Sequence, residues 1–163
     1  MLGAALSGAL FVGQAQSSLA DLVEQGQAEW MMGTWVGTTD NGTTFTHSFS
    51  WDLDKQIILM RGEIGDRSFL GITSLDSSTG EPKYVGWDSK GSTSKGTWGE
   101  ENDGVALRLE STRPGGETRK FAVVFAKTDG GNLEVRFHTV DEWGYLNYPA
   151  MGSTTLKKQA KKK

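Results

Sequence analysis

The sequence predicts an all-β protein: a closed or nearly closed antiparallel up-and-down barrel of about eight to ten strands, with a short N-terminal helix. Three observations favour this fold. From Trp30 onward, apolar and polar residues alternate with a period of two over many short runs. Most runs end in residues typical of tight turns, such as Asp40-Asn41-Gly42 and Pro114-Gly115-Gly116. No helical stretch separates the runs, and so long a meander must close or form a sandwich to protect its edges.

The first segment, residues 2–15, is apolar, rich in small side chains and free of charged ones. It is too short to span a bilayer as a helix, and it resembles the apolar region of a secretory signal peptide. Gly13 and Ala15 supply the small residues of a cleavage site, although the usual basic start is missing. We therefore expect a signal-peptide remnant over 1–15 and an exported protein, periplasmic or extracellular. The alternatives are a helix packed on the domain and a cytoplasmic location.

An apolar stripe at helical spacing predicts a short helix over 18–29. Ser18, with Asp21 three residues later, resembles a capping box. Gly26 weakens the last turn of this helix, because glycine is a poor helix former. We expect the helix to cover one end of the barrel.

The first two strands show the alternation most clearly. A β-rich run over 33–39 leads to Asn41-Gly42, and this pair between two such runs predicts a hairpin with a type I′ turn. The next run, from Phe45 to Trp51, places three aromatic side chains and His47 on one face. Further strands are predicted over 56–64, 68–75, 83–88, 94–99, 105–110, 120–127, 133–139 and 152–156.

The composition excludes several kinds of site. The chain has no cysteine, which excludes disulfides, thiolate metal ligands and a cysteine nucleophile. The formal net charge is -3, but five of the 17 Lys and Arg residues lie from Lys157 onward, so the rest of the chain is more acidic. An acidic body argues against nucleic-acid binding. We expect one domain over 16–157, a basic disordered tail over 158–163, and no stable membrane span after processing.

The short helix followed by Gly-Thr-Trp at 33–35 resembles the start of calycin barrels, the superfamily of lipocalins and fatty-acid-binding proteins. The chain is more similar to the lipocalin-like bacterial domains of unknown function grouped as DUF1579, over residues 28–157. The motifs that match lie at 71–76, 84–89 and 95–98. The resemblance implies a barrel fold and a structural role for Trp35, which in lipocalins packs at the closed end. Because the family is largely uncharacterised, the resemblance says more about fold than about function.

No catalytic set is visible in the sequence. His47 and His138 are the only histidines, and they are too far apart in sequence to form a pair with the spacing of a common zinc site. The chain has neither a Gly-x-Ser-x-Gly nucleophile elbow nor a phosphate-binding glycine loop before a helix. A Ser-His-Asp triad stays open, because its members need not be close in sequence. We predict no catalytic residue and no metal. The sequence favours a protein that is not an enzyme and leaves open an enzyme with an unrecognised site.

The two histidines allow different roles. His47 shares a face with aromatic residues, so it could orient a ligand in the lumen or ligate a haem iron. The alternative is a core histidine whose hydrogen bonds are satisfied by a neighbouring strand. His138 shares a face with Glu134 and Arg136, which is typical of a solvated outer face. Its late position resembles that of the haem-ligating histidine of nitrobindins, although the first strand here lacks the further glycines of those proteins.

The predicted function is the non-catalytic binding of a small hydrophobic or amphipathic molecule in the barrel lumen. The alternatives are nitrobindin-like haem binding through one histidine and a structural or interaction barrel with a filled core. Arg61 is a candidate lumen cation for a carboxylate ligand, or else a surface residue paired with Glu63. Trp87 and Trp98 are candidate stacking surfaces, or else core residues. The predicted ligand-binding residues are Phe45, His47, Phe49, Trp51, Met60, Arg61, Trp87, Trp98 and His138.

Overall fold

The computed structural model describes residues 17–160. Within them, ten antiparallel strands form a closed barrel in which each strand pairs with its neighbours in sequence and the first pairs with the last. The predicted fold class is confirmed. No helix in this part of the chain is both long enough and apolar enough to cross a bilayer.

A helix, α1 (Leu19–Gln25), and a single 3-10 turn (Glu29–Met31) precede the barrel. The strands are β1 (Gly33–Thr38), β2 (Thr44–Asp52), β3 (Ile57–Ile64), β4 (Arg67–Leu75), β5 (Pro82–Asp88), β6 (Thr93–Glu101), β7 (Gly104–Thr112), β8 (Thr118–Lys127), β9 (Leu133–Thr139) and β10 (Gly152–Lys158).

The two predicted terminal segments have different outcomes. The signal-peptide remnant expected over 1–15 lies outside the described residues. Lys158, expected to begin the basic tail, is instead the last residue of β10. Its ammonium donates to the Trp30 carbonyl and lies 5.0 Å from the centroid of the Trp35 ring, so packing at the barrel end extends the strand.

Helix α1 begins at the predicted capping box. The Asp21 N–H donates to the Ser18 hydroxyl at 3.1 Å, and the Ser18 N–H donates to the Asp21 carboxylate at 2.8 Å. The helix is shorter than the predicted span 18–29, because Gly26 is its C-cap and Gln27 has a positive φ of 50°. A 3-10 turn then leads into β1.

The loop between β1 and β2 is not the predicted type I′ turn. Gly42 has a positive φ of 83° but Asn41 does not, and a type I′ turn needs both. The Thr39 N–H donates to the Thr43 carbonyl and the Gly42 N–H donates to the Thr39 carbonyl, each at 2.9 Å. These bonds define a longer loop in which a type I turn is followed by a left-handed glycine. The same pattern recurs at 88–92, 128–132 and 141–145. The loop at 113–117 has the same two hydrogen bonds, but Gly115 as well as Gly116 has a positive φ, so its turn is not of type I.

Glycines on the inner face of the wall make room for aromatic rings. Gly71 and Gly86 pair with each other across β4 and β5, and the Tyr84 ring lies over both. A Cβ at either position would overlap that ring, and a Cβ at Gly62 would overlap Phe69 in the same way. These rings therefore lie along the wall, which leaves space in the barrel interior.

The two ends of the barrel differ. At one end, α1 and the 3-10 turn place Leu19 and Met31 in the core, over Phe49 and Ile58 of the inner wall. The helix thus covers this end as predicted. Trp35 is buried here, and its indole N–H donates to the Met31 carbonyl at 2.7 Å, in keeping with a structural role. The opposite end forms the mouth of an internal cavity.

Candidate functional site

The barrel interior contains a cavity of about 260 Å³. Its deeper part is apolar and largely aromatic, with side chains from β2, β3, β4, β8 and β9. Its mouth is polar and carries residues from the ends of β4 to β8. The cavity is therefore amphipathic along its length. The deep residues include Phe45, His47, Met60, Phe69, Phe125 and Val135, and the mouth residues include Arg67, Asp88, Ser92, Ser111, Arg113 and Arg119.

His47 lies in the aromatic part of the cavity wall, with 2% of its surface exposed. Four phenylalanine rings surround its imidazole, with centroids 4.6 to 5.8 Å away: Phe45, Phe49, Phe69 and Phe125. The strand alternation of β2 places His47 on one face with the aromatic residues, and this face is the inner one; Gly62 faces His47 across the β2–β3 pair. The residue is thus a polar group set in an apolar enclosure.

Neither ring nitrogen of His47 has a hydrogen-bond partner among the described residues. Burial disfavours the charged imidazolium and lowers the pKa of His47 to about 3, so the ring is neutral at physiological pH. A neutral imidazole offers one donor and one acceptor. Leaving such groups unpaired costs about 1–3 kcal/mol each, which is why unpaired buried groups are rare in native proteins.

The mouth of the cavity is rich in cations. Arg67, Arg113 and Arg119 line it, and the one carboxylate among the lining residues is Asp88. Glu117 lies beside the mouth and bridges two of the arginines, at 3.4 Å from Arg113 and 2.7 Å from Arg119. The hydrogen bond from Arg119 is the main cause of the lowered pKa of Glu117. The two guanidinium groups are therefore held on one carboxylate at the cavity entrance.

Asp88 stabilises the loop at the mouth of the cavity. Its carboxylate accepts the backbone N–H groups of Lys90 and Ser92, each at 2.9 Å, and lies 3.7 Å from Arg67. Desolvation acts to raise the pKa of Asp88, but these hydrogen bonds outweigh it and the pKa lies below its usual range. Asp88 therefore stays ionised and shapes the loop at 88–92.

Tyr84 adds a hydroxyl to the cavity wall. The residue is buried and makes no side-chain hydrogen bond within the described part of the chain, and burial raises the pKa of Tyr84 to about 12. It is therefore a neutral phenol at physiological pH. Tyr84 was not among the predicted site residues, although it lies two residues from Gly86 on the inner face of β5.

The predicted site residues of the inner face divide between the two ends of the barrel. Phe45, His47 and Met60 line the cavity. Phe49 and Trp98 lie instead at the end covered by α1, where the Trp98 indole N–H donates to the Thr73 hydroxyl at 2.9 Å. The prediction of Trp98 as a stacking surface in the same site is therefore wrong, because hydrogen bonding and packing hold it at the opposite end.

Trp51 and Trp87 lie at the edges of the interior. Trp51 is half-buried against the core, with the Lys55 ammonium 5.9 Å from its ring centroid. It is not among the residues that line the cavity. Trp87 is at the rim of the cavity, and about half of its surface is exposed. Trp87 alone of these two stays a candidate contact for a ligand.

Arg61 is exposed on the outer face of β3, so its assignment as a lumen cation is wrong. The inner face of that strand carries Ile58, Met60 and Gly62, and alternation directs Arg61 outward. The cations at the cavity are instead Arg67, Arg113 and Arg119.

One of these arginines could have been found from the sequence. Arg119 lies on the same face of β8 as Phe121 and Val123, whose side chains line the cavity. The pairing of Arg119 with Ser111 of β7 then places the polar ends of two inner faces side by side.

His138 faces outward from β9, so its assignment as a ligand-binding residue of the lumen is wrong, and so is the solvation expected of an outer face. Only 1% of its surface is exposed, because the segment 140–151 folds back over the outer wall. Its Nδ1–H donates to the Asn147 carbonyl at 3.0 Å, and the Tyr148 ring centroid is 4.9 Å from its own. His138 therefore does not belong to the lumen site.

The described residues do not fit a haem. His138 lies on the opposite side of the wall from the cavity, and the imidazole of His47 is enclosed by phenylalanine rings on several sides. A planar macrocycle needs an open face at its axial ligand. No group of three or more histidine or acidic side chains arranged to hold a metal ion occurs in residues 17–160.

No family model matches the chain, and no curated protein matches its sequence at a significant level. The similarity to lipocalin-like bacterial domains therefore stays a prediction.

Proposed function

We propose that the barrel binds one small amphipathic molecule, with its apolar part in the cavity and an anionic head group at the arginines of the mouth. The observation that carries the proposal is the division of one cavity into an aromatic interior and a cationic entrance. Apolar cavities with a few convergent polar groups are typical ligand sites. The polar groups fix the orientation of a ligand, and the apolar wall supplies much of the affinity.

The size of the cavity limits the ligand. About 260 Å³ is slightly below the roughly 300 Å³ at which pockets for drug-sized molecules begin. A single aromatic ring or a short alkyl chain with a carboxylate fits this space, whereas a long-chain fatty acid does not. The inner-face glycines support this account, because they keep the Tyr84 and Phe69 rings against the wall.

The arginines at the mouth can release the Glu117 carboxylate and bind the carboxylate of a ligand in its place. The side chains of Arg113, Arg119 and Glu117 are each about half exposed, so their ion pairs are worth about 0–1 kcal/mol. A ligand carboxylate can therefore displace Glu117 at little cost. Guanidinium groups bind carboxylates with two parallel hydrogen bonds, which gives the ligand a defined orientation.

Calorimetric titration with a panel of small molecules tests this proposal. We expect benzoate-sized carboxylates and short fatty acids to bind, and amines with the same apolar part to bind much more weakly. The double variant Arg113→Gln/Arg119→Gln should lower carboxylate affinity about tenfold or more, since charged hydrogen bonds are lost. Arg61→Gln, which removes a cation from the outer face, is the matched control and should leave affinity unchanged.

Two results would count against the proposal. If no carboxylate, amine or neutral apolar molecule binds, the barrel is a structural or interaction domain whose interior space has no ligand. If carboxylates bind equally to the wild type and to the double variant, the arginines do not receive the head group.

A further inference from the structure

The deep part of the cavity contains a polar side chain without a hydrogen-bond partner. His47 presents a donor and an acceptor, and neither has a partner among the described residues. The rings around it, those of Phe45, Phe49, Phe69 and Phe125, cannot supply a conventional hydrogen bond. The enclosure therefore holds a polar group that its own walls do not satisfy.

We infer that the ligand carries a second polar group, a hydroxyl or an N–H, at the end of its apolar part, and that His47 recognises this group. The inference depends on the proposed function, because it concerns the same cavity. It assigns His47 as a residue that determines specificity and names the ligand class: small hydroxylated or amino-substituted carboxylates, with polar groups at both ends.

The order of residues along β4 indicates that such a ligand is short. Arg67 at the mouth and Phe69 are two residues apart on this strand, which is about 7 Å. The Phe69 ring centroid lies 5.3 Å from that of His47. Only a short stretch of the wall therefore separates the cationic mouth from the imidazole, which favours a short ligand with a substituent at each end.

The imidazole can present a nitrogen to the cavity without a change of shape. A half-turn about the last side-chain torsion exchanges the nitrogen and carbon positions of the ring, and the ring occupies nearly the same volume in both orientations. His47 lines the cavity, and the surrounding phenylalanines make no hydrogen bond that would hold it in one orientation. Because the ring stays neutral, it can accept from a ligand hydroxyl or donate to its oxygen.

Titration with two ligands of similar volume tests the inference. Para-hydroxybenzoate and para-methylbenzoate share the carboxylate and the ring, and differ in the group that would face His47. We expect the wild type to bind the hydroxyl compound about tenfold more tightly, since the methyl compound leaves the buried imidazole unpaired. His47→Phe should abolish or invert this preference. His47→Gln, which keeps a donor and an acceptor, should retain part of it.

A second measurement does not depend on any variant. The ring nitrogen resonances of His47 in the wild type should shift on addition of para-hydroxybenzoate and shift much less with para-methylbenzoate. His138→Gln alters the other histidine, on the outer face, and should leave the ligand preference unchanged.

The outcomes separate this inference from the proposed function. If both compounds bind the wild type with equal affinity, or if the His47 resonances respond equally to both, His47 is a core residue and the inference is overturned while carboxylate binding stands. If neither compound nor any other carboxylate binds, both proposals fail together.

Discussion

The two histidines lie on opposite faces of the same barrel wall and are almost equally buried. His47 faces inward and His138 faces outward, with 2% and 1% of their surfaces exposed. His138 donates from Nδ1 to the Asn147 carbonyl, and only its Nε2 lacks a partner among the described residues. For His47, both nitrogens lack one.

This difference shows that burial alone does not indicate a binding site. The burial of His138 is explained by the chain itself, since the segment 140–151 crosses the outer wall and supplies both a hydrogen bond and the Tyr148 ring. His47 is instead buried among phenylalanine rings that supply no hydrogen bond, next to open space. A polar group without a partner beside a cavity is the stronger indication of a ligand.

The largest expected effect concerns acid stability. His47 titrates near its ordinary pKa of 6.5 in the unfolded chain and at about 3 in the folded protein. Between these two pKa values, the unfolded state therefore binds more protons than the folded state. The titration of His47 leaves the free energy of unfolding unchanged above pH 6.5 and lowers it as the pH decreases below that value. Each pH unit costs about 1 kcal/mol, so urea unfolding should show a loss of about 2 kcal/mol between pH 7 and pH 5.

One variant isolates the contribution of His47 in this measurement. His47→Phe should remove most of the loss between pH 7 and pH 5. The carboxyl groups titrate mainly below this range, so they contribute little to the comparison. An unchanged pH dependence in His47→Phe would show that His47 is not held neutral in the folded state.

The second effect concerns the outer face. His138→Ala removes the hydrogen bond to Asn147 and leaves space beneath Tyr148, so the free energy of unfolding should fall by about 2 kcal/mol. Hydrogen exchange should become faster over 140–151 in particular. Carboxylate affinity should not change, because this residue lies outside the cavity. A loss of affinity as large as that expected for Arg113→Gln/Arg119→Gln would contradict the separation of the two faces.

Most of the fold could be predicted because strand alternation and turn residues are local properties of the sequence. The predicted strand over 133–139 coincides with β9, and the other strands agree to within a few residues. The prediction of a type I′ turn at Asn41-Gly42 was wrong because these two residues do not show where the pairing of the flanking strands ends. That end point sets the length of the loop and therefore the type of turn. The helix was predicted too long because the apolar stripe continues past Gly26, where α1 ends.

The candidate site was harder to predict, because it depends on which strands meet at the mouth. The inward position of His47 followed from alternation on one strand. The position of Arg119 required the same reasoning for β8, together with the pairing of β8 and β7. The burial of His138 could not be predicted locally, since it arises when the segment 140–151 returns over strands that are distant in sequence.

The smallest expected effect on stability concerns the glycines on the inner face of the barrel wall. In Gly71→Ala, the new methyl group would overlap the Tyr84 ring and force it toward the cavity. We expect a loss of about 1–2 kcal/mol in urea unfolding, as is typical of overpacking, together with weaker carboxylate binding because the cavity shrinks. Gly152→Ala is the matched control: its Cβ would meet no atom within 4 Å, and its φ is not in the left-handed region. If Gly71→Ala binds carboxylates as tightly as this control does, the space beside Tyr84 is not part of the ligand site.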